Sequence, residues 1–240
     1  MYSDNTTAII LAGGLGTRIK HLLKNSVPKP MVEVYGKPFI YWIIKWLLKN
    51  KITKIIISTG YGHHHIEDYV NSNDLKKYDI TCIKEEKQLG TGGAIRFVRD
   101  QTRIKPNNWL ILNGDSLIFY DVNELYKDFN GYSGAIVSRY LNNASRYGTL
   151  ITDKKNKLLC FSEKKQSKGF INAGSYLLKD SLIKNFSIVT PLSLENSEMP
   201  RLLRQHKIVV SKSDAKFIDI GTPESLNESK SFIEKNLFEF

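Results

Sequence analysis

The chain has 240 residues, enough to bury a substantial core within one domain. Its 35 Lys and Arg outnumber 24 Asp and Glu, giving a formal charge of +11; the lysines are scattered, and no RNA-binding aromatic signature or zinc spacing accompanies them, so no nucleic-acid partner is expected. No run reaches the roughly 18 apolar residues of a membrane span, MYSDNTT at the N-terminus has no signal-peptide character, and Cys82 and Cys160 are too few for a disulfide framework, so both read as core or near-core thiols and the expected location is cytoplasmic.

Ala8–Leu11 reads as a buried strand. Pro38 to Asn50 reads as a helix, with Pro in its first turn and Phe39, Ile40, Ile43, Ile44 and Leu47 on one face. Lys54–Thr59 is a second buried strand closed by Gly60, and a helix is expected from His65 to Asn71. Ile80–Lys84 is a third strand, Gly93–Asp100 a helix after a glycine turn, and Trp109–Leu112 a fourth strand running into Asn113-Gly114-Asp115. Strands alternating with helices predict a parallel sheet. The second half is strand-rich: Ala135–Arg139, Gly148–Thr152, Leu158–Ser162 and Gly174–Leu178, with a hairpin turn at Lys154–Lys157. A helix near Met199–Gln205, strands Ile208–Ser211 and Phe217–Ile220, and a helix from Pro223 complete the chain.

The expected fold class is therefore α/β, a Rossmann-like mixed, mainly parallel sheet flanked by helices, with a smaller antiparallel part. It forms a single domain over 1–240, with halves at about 8–130 and 131–226. The apolar tail Phe232–Phe240 is expected to dock on the body or on a second copy in a homodimer.

The first strand falls into Ala12-Gly13-Gly14-Leu15-Gly16-Thr17-Arg18. This is not a Walker loop, because five positions on from Gly13 or Gly14 stand Arg18 and Ile19. It is not a dinucleotide fingerprint, because Ile19 stands where the third glycine would be. Glycines still allow backbone N–H groups to approach phosphate oxygens, and Arg18 adds a charged fork. Lys29 sits between Pro28 and Pro30, which should hold it on a stiff, extended mount. Leu89-Gly90-Thr91-Gly92-Gly93-Ala94 opens a helix, where a flat ring could lie on the backbone or a phosphate meet the N-terminus. Asp115 ends a buried strand, where ligands of parallel sheets bind, though an Asp there could also cap a helix. Asp219 lies inside an apolar strand and needs a partner, of which a divalent metal shared with Asp115 is one. His63-His64-His65 matches no metal spacing, and Tyr41, Trp42 and Trp46 read as helix packing.

Seven stretches in order, LAGGLGTR, PKP, LGTGGA, NGD, SEK, NAG and DIGTPE, resemble the motifs of the sugar-1-phosphate nucleotidylyltransferases, from Ala8 to Leu226. The resemblance implies transfer of a nucleotidyl group from an NTP to a sugar 1-phosphate with release of pyrophosphate. It implies that Leu11, Ala12, Gly13 and Gly14 hold the nucleotide, with Gly16, Thr17 and Arg18 at the β and γ phosphates and Lys29 also on phosphate. Glu86 and the turn Gly90, Thr91, Gly92 and Gly93 would flank the base, with Asn113 and Gly114 beside the nucleotide. Asp115 and Asp219 would bind Mg²⁺. Glu163, Asn172, Gly174, Tyr147 and Gly148 would form the sugar pocket, and Lys164 would grip the sugar phosphate. Lys165 stands where the family often has Pro. The short form with LGTGGA, RYG and Ser193-Leu194-Glu195 is most similar to the D-glycero-α-D-manno-heptose 1-phosphate guanylyltransferases, which favours GTP.

The nucleophile in such a reaction is a phosphate already anionic at neutral pH, so no general base is needed. Charge neutralisation by Arg18, Lys29, Lys164 and Mg²⁺ is what the site must supply. Other sugar and nucleotide pairs, and a non-catalytic nucleotide-sugar binding module, stay open at the level of sequence.

Overall fold

The computed structural model describes residues 5–14, 16, 27–72, 74–162 and 168–240. Strand β1 (Thr6–Ala12) is central. It pairs in parallel with β4 (Lys54–Thr59) on one side and β6 (Asn108–Asn113) on the other, and β4 pairs in parallel with β5 (Asp79–Lys84). Strands β2 (Glu33–Val34) and β3 (Lys37–Pro38) make a separate short hairpin. Helix α1 (Phe39–Lys49) leads from it to β4, α2 (His63–Val70) joins β4 to β5, and α3 (Gly90–Gln101) joins β5 to β6. These crossovers are what parallel pairing requires.

The sheet changes direction beyond β6. After β7 (Ser116–Ile118) and α4 (Val122–Phe129) come β8 (Gly134–Leu141), β9 (Thr149–Thr152), β10 (Leu158–Ser162) and the long β11 (Gly169–Lys179). Strand β11 lies antiparallel to β6 through Ser175–Lys179, antiparallel to β8, and touches β9 through Ile171. Helices α5 (Asp180–Lys184) and α6 (Met199–Leu202) precede β12 (Ile208–Ser213), which is parallel to β8. Strand β13 (Phe217–Asp219) pairs antiparallel with β7, and α7 (Pro223–Glu234) follows. Among the described residues the result is a nine-stranded mixed sheet, parallel in its N-terminal half and continuous into a largely antiparallel extension.

Strands β1, β4 and β6 are buried on both faces and carry apolar runs, whereas the edge strand β5 is half exposed. Ile10, Ile55, Ile57 and Leu110 pack with Phe39, Ile40 and Trp46 of α1, while Ile9, Ile56 and Ile111 pack with Ile95 and Val98 of α3. The two-residue alternation of strand side chains separates these two cores. Trp46 packs at a tilt against Tyr120 and Trp42 against Phe240, so the aromatic cluster is helix packing. The tail docks on the body of its own chain, with Phe240 on Trp42 and Phe119, and Phe232 on Phe119.

Several expectations are corrected. Lys29 is not extended: it opens a 3₁₀ turn, Lys29–Met31, closed by Met31 N–H donating to Pro28 O at 2.8 Å. That hydrogen bond and the Lys29–Asp115 ion pair outweigh the extended preference of a residue before proline. Cys160 is exposed rather than near the core, because it lies on the edge strand β10. Helix α3 begins at Gly90, so the glycines form its first turn, and the helix expected over 199–205 shortens to α6 after a π-helical turn at Leu194–Glu198. Helix α4 and strand β7 were not expected.

Candidate active site

Because β1, β4, β5 and β6 are parallel, the segments leaving their C-terminal ends gather on one edge of the sheet, where ligands of such folds bind. Gly13 and Gly14 leave β1, Gly60 leaves β4, Glu85 leaves β5, and Gly114 and Asp115 leave β6. Gly114 N–H donates to Leu11 O at 2.9 Å, which bends the end of β6 towards that of β1.

A cleft of about 340 Å³ lies here, walled by Leu11, Gly13, Gly14, Glu85, Gly90 and Thr91 and floored by Asn113 and Asp115. Ala12 is buried behind this wall, and Gly16 takes φ 59° beyond it. Gly90 has φ 74°, and a Cβ on it would stand 2.5 Å from Leu192 O, so only glycine fits that turn. The amides of Gly92 and Gly93 donate to the same Leu192 O at 2.8 and 3.3 Å. Those two amides are therefore spent on protein. Glu86 lies outside the cleft, its side chain 82% exposed and paired with Lys84. Its neighbour Glu85 occupies the wall instead, accepting from Ser58 Oγ at 2.8 Å and Leu89 N–H at 3.3 Å. Burial pushes the Glu85 carboxyl up, and those two hydrogen bonds oppose the shift.

A second cavity, of about 840 Å³, opens on the other side of Asn113 and Asp115. It holds four of the expected sugar-pocket residues, Tyr147, Gly148, Asn172 and Gly174, together with Arg146, Glu195 and Asp219. Gly174, at φ 74°, sits where the register of β11 shifts between Asn172 and Tyr176. That bulge turns Asn172 into the cavity, where its Oδ1 accepts from Gly174 N–H at 3.0 Å and its Nδ2 donates to Tyr176 Oη at 2.7 Å. Tyr176 in turn donates to Glu195 at 2.8 Å, and burial raises its phenol well above the ordinary value.

Asp115 and Asp219 are brought to the same place by the β7–β13 pair. Asp219 is opposite Ser116 in that ladder, and Ile220 N–H donates to Asp115 O at 2.9 Å. No helix follows Asp115 directly, so it is not a cap; Asp121 caps α4. Lys29, almost fully buried, forms an ion pair with Asp115. Asp219, 7% exposed, accepts from Arg146 at 3.1 and 3.3 Å, from Gly221 N–H at 2.6 Å, and from the Tyr147 hydroxyl. Burial raises the Tyr147 phenol, and the bond to Asp219 raises it further. Tyr147 therefore turns its hydroxyl to Asp219 instead of leaving it free in the pocket.

Asp115 and Asp219 both line the larger cavity, and carboxylate oxygens are the hard donors that a small divalent cation completed by substrate phosphates takes. Thr17, Arg18, Glu163 and Lys164 lie outside the described residues. Glu85, Arg146, Tyr176 and Glu195 are site residues to which the sequence reading gave no role. Arg146 and Glu195 stand inside the quoted RYG and SLE runs, whereas Tyr176 and the Glu85–Glu86 choice have no local signal.

The cleft and the larger cavity meet at Asn113 and Asp115, with Asp219 on the wall of the larger cavity and Lys29 paired to Asp115. The chain belongs to the nucleotidyl transferase family, whose profile matches residues 7–236, and it is a nucleotidyltransferase enzyme. It is 33% identical over 230 residues to the D-glycero-alpha-D-manno-heptose 1-phosphate guanylyltransferase of Aneurinibacillus thermoaerophilus, covering 95% of this chain and 98% of that one. It is 34% identical to the protein of that name from Campylobacter jejuni, over 90% and 95% of the two chains. The crystal structure of HddC from Yersinia pseudotuberculosis superposes with TM-score 0.85 at 30% identity, covering 95% and 99%; a second structure of HddC is complexed with GMP-PN.

Proposed function

We propose that the protein transfers a guanylyl group from GTP to D-glycero-α-D-manno-heptose 1-phosphate, giving GDP-heptose and pyrophosphate. The observation that carries this reading is the junction of the two cavities at Asn113 and Asp115, with Lys29 on Asp115. Near full-length similarity to two heptose 1-phosphate guanylyltransferases supports the choice of sugar. Glu85 supports the choice of base: a carboxylate accepts twice, and guanine presents adjacent N1–H and N2–H donors. Uracil and thymine present one donor between two acceptors, which fits that wall less well.

In this reading a sugar-phosphate oxygen attacks the α-phosphorus in line. A new P–O bond forms, the bond to the β-phosphate oxygen breaks, and pyrophosphate carries the electron pair away. The nucleophile is already anionic, so the residues orient and neutralise rather than abstract a proton. Lys29 neutralises phosphate charge from its stiff mount; Arg18 and Lys164 act in the same way. The glycine turn at Gly90 supports the base, and Asn172, Tyr147, Gly148 and Glu163 orient the sugar. Asp115 and Asp219 would hold Mg²⁺, which would neutralise phosphate charge and steady the leaving group. Both halves act as one domain, and the product would serve surface-polysaccharide synthesis from the cytoplasm.

Pyrophosphate release with Mg²⁺ tests the proposal, with GTP, CTP, UTP, ATP and dTTP crossed against heptose, mannose and glucose 1-phosphates. Release is expected with GTP and the heptose phosphate. Preference for another pair would replace the base or the sugar, and no release with any pair would point to a sugar outside this set or to a binding module.

A further inference from the structure

Both oxygens of Asp219 are fully engaged in the structure. Oδ1 accepts from Gly221 N–H at 2.6 Å, Arg146 at 3.1 Å and Ser225 Oγ at 3.4 Å; Oδ2 accepts from the Tyr147 hydroxyl and Arg146 at 3.3 Å. A carboxylate so occupied has no ready position for a metal ion, so one donor must leave before Asp219 can serve as a ligand. Gly221 is backbone, and Ser225 belongs to the capping box that starts α7. Tyr147 is packed edge-on against Phe217 at 5.8 Å. Arg146 differs from these: its side chain is 41% exposed, it lies on the connection between β8 and β9, and it borders the 840 Å³ cavity.

From this we infer that Arg146 is an exchangeable counter-ion, held on Asp219 when no cation is bound and turned to the substrate phosphate when one is. Charge favours the exchange in both directions. A divalent cation on Asp219 repels the guanidinium, and a phosphate in the cavity receives it as a planar, charged fork. Lys29 on Asp115 repeats the arrangement, so each candidate metal-holding carboxylate carries a basic side chain. The arrangement keeps two carboxylates, one of them almost buried, neutralised before any ligand arrives.

The inference rests on reading the larger cavity as a phosphate-ester site, but not on which sugar it takes. Methyl phosphate is therefore the probe, titrated calorimetrically into wild type and R146Q with and without Mg²⁺. In wild type, Mg²⁺ should strengthen methyl phosphate binding. In R146Q, methyl phosphate affinity should fall about tenfold with Mg²⁺ present and stay unchanged without it, the loss of one charge-assisted contact. Equal loss in both conditions would make Arg146 a fixed phosphate ligand, and no loss in either would make it only a support for Asp219; each result overturns the inference. Crystals of wild type soaked with Mg²⁺ and methyl phosphate give an answer independent of the variant's folding. The guanidinium is expected on phosphate, and a guanidinium still on Asp219 overturns the exchange. Absence of turnover with GTP and heptose phosphate would reject the proposed reaction while leaving this result in place.

Discussion

Thr91 Oγ1 donates to Glu195 Oε2 at 3.0 Å and accepts from Leu194 N–H at 2.8 Å, so a residue in the first turn of α3 holds a carboxylate of the other cavity. The Thr91 hydroxyl is thereby committed to protein rather than free for nucleotide. Thr91→Val should raise KM for the sugar phosphate about tenfold, the worth of one hydrogen bond to a charged group, with KM for the nucleotide changed far less. Steady-state kinetics with each substrate varied would check this; a rise confined to the nucleotide KM would place the hydroxyl on the nucleotide instead.

Glu85 should govern base selection. Glu85→Gln keeps the size of the side chain but replaces one acceptor by a donor, which then faces a guanine N–H. Turnover per KM with GTP should drop about 10- to 100-fold, while UTP changes little. An equal loss with every nucleotide would mean that Glu85 only supports the wall through Ser58 and Leu89.

Gly62 packs against Pro28, the residue before Lys29. It has φ 67°, and a Cβ there would stand 2.7 Å from Pro28 Cδ. Gly62→Ala should cost about 1–2 kcal/mol for the left-handed backbone. It should also push the Pro28-Lys29-Pro30 turn away from Asp115, lowering kcat by about a hundredfold. Thermal melting and kcat measured together would check both; a stability loss with unchanged kcat would uncouple Gly62 from Lys29.

Asp180 should contribute to the loss of stability in acid. Arg99 grips both its oxygens at 2.8 Å, and Trp109 Nε1 donates to it at 2.9 Å. Burial pulls its carboxyl up, but Arg99 and Trp109 outweigh that and hold it below the ordinary value. The folded state thus binds fewer protons than the unfolded state in that range. The stabilisation is complete above the unfolded carboxyl pKa of about 3.9 and is lost as pH falls through the lower folded value. Asp180→Asn should lower the melting temperature at pH 7 and flatten its fall below pH 4. Melting curves from pH 2 to 7 would check this, and parallel curves for the two proteins would remove Asp180 from the acid transition.

Much of this protein was legible in its sequence because the informative signals are local. The buried parallel strands are short, unbroken apolar runs, and α1 has its apolar face at helical spacing, so both could be placed to within a residue or two at most ends. Helix α4 carries the same kind of signal, with Val122, Leu125, Tyr126 and Phe129 at helical spacing behind an Asp cap. Strands β2, β3 and β7 have two or three residues each, too few for a period to show.

The glycine turns, the strand-end Asp115 and the Asp219 buried in an apolar run could be picked out one residue at a time, because each breaks a local rule of composition. Tertiary structure alone decided their partners. Asp219 meets Arg146 across 73 positions, Lys29 meets Asp115 across 86, and Thr91 meets Glu195 across 104. It also decided that Glu85, not Glu86, faces the cleft, since adjacent carboxylates differ only in the direction the chain takes on leaving β5. Periodicity and turn chemistry act over a few residues, whereas ion pairs and cavities depend on which strand ends the sheet brings together.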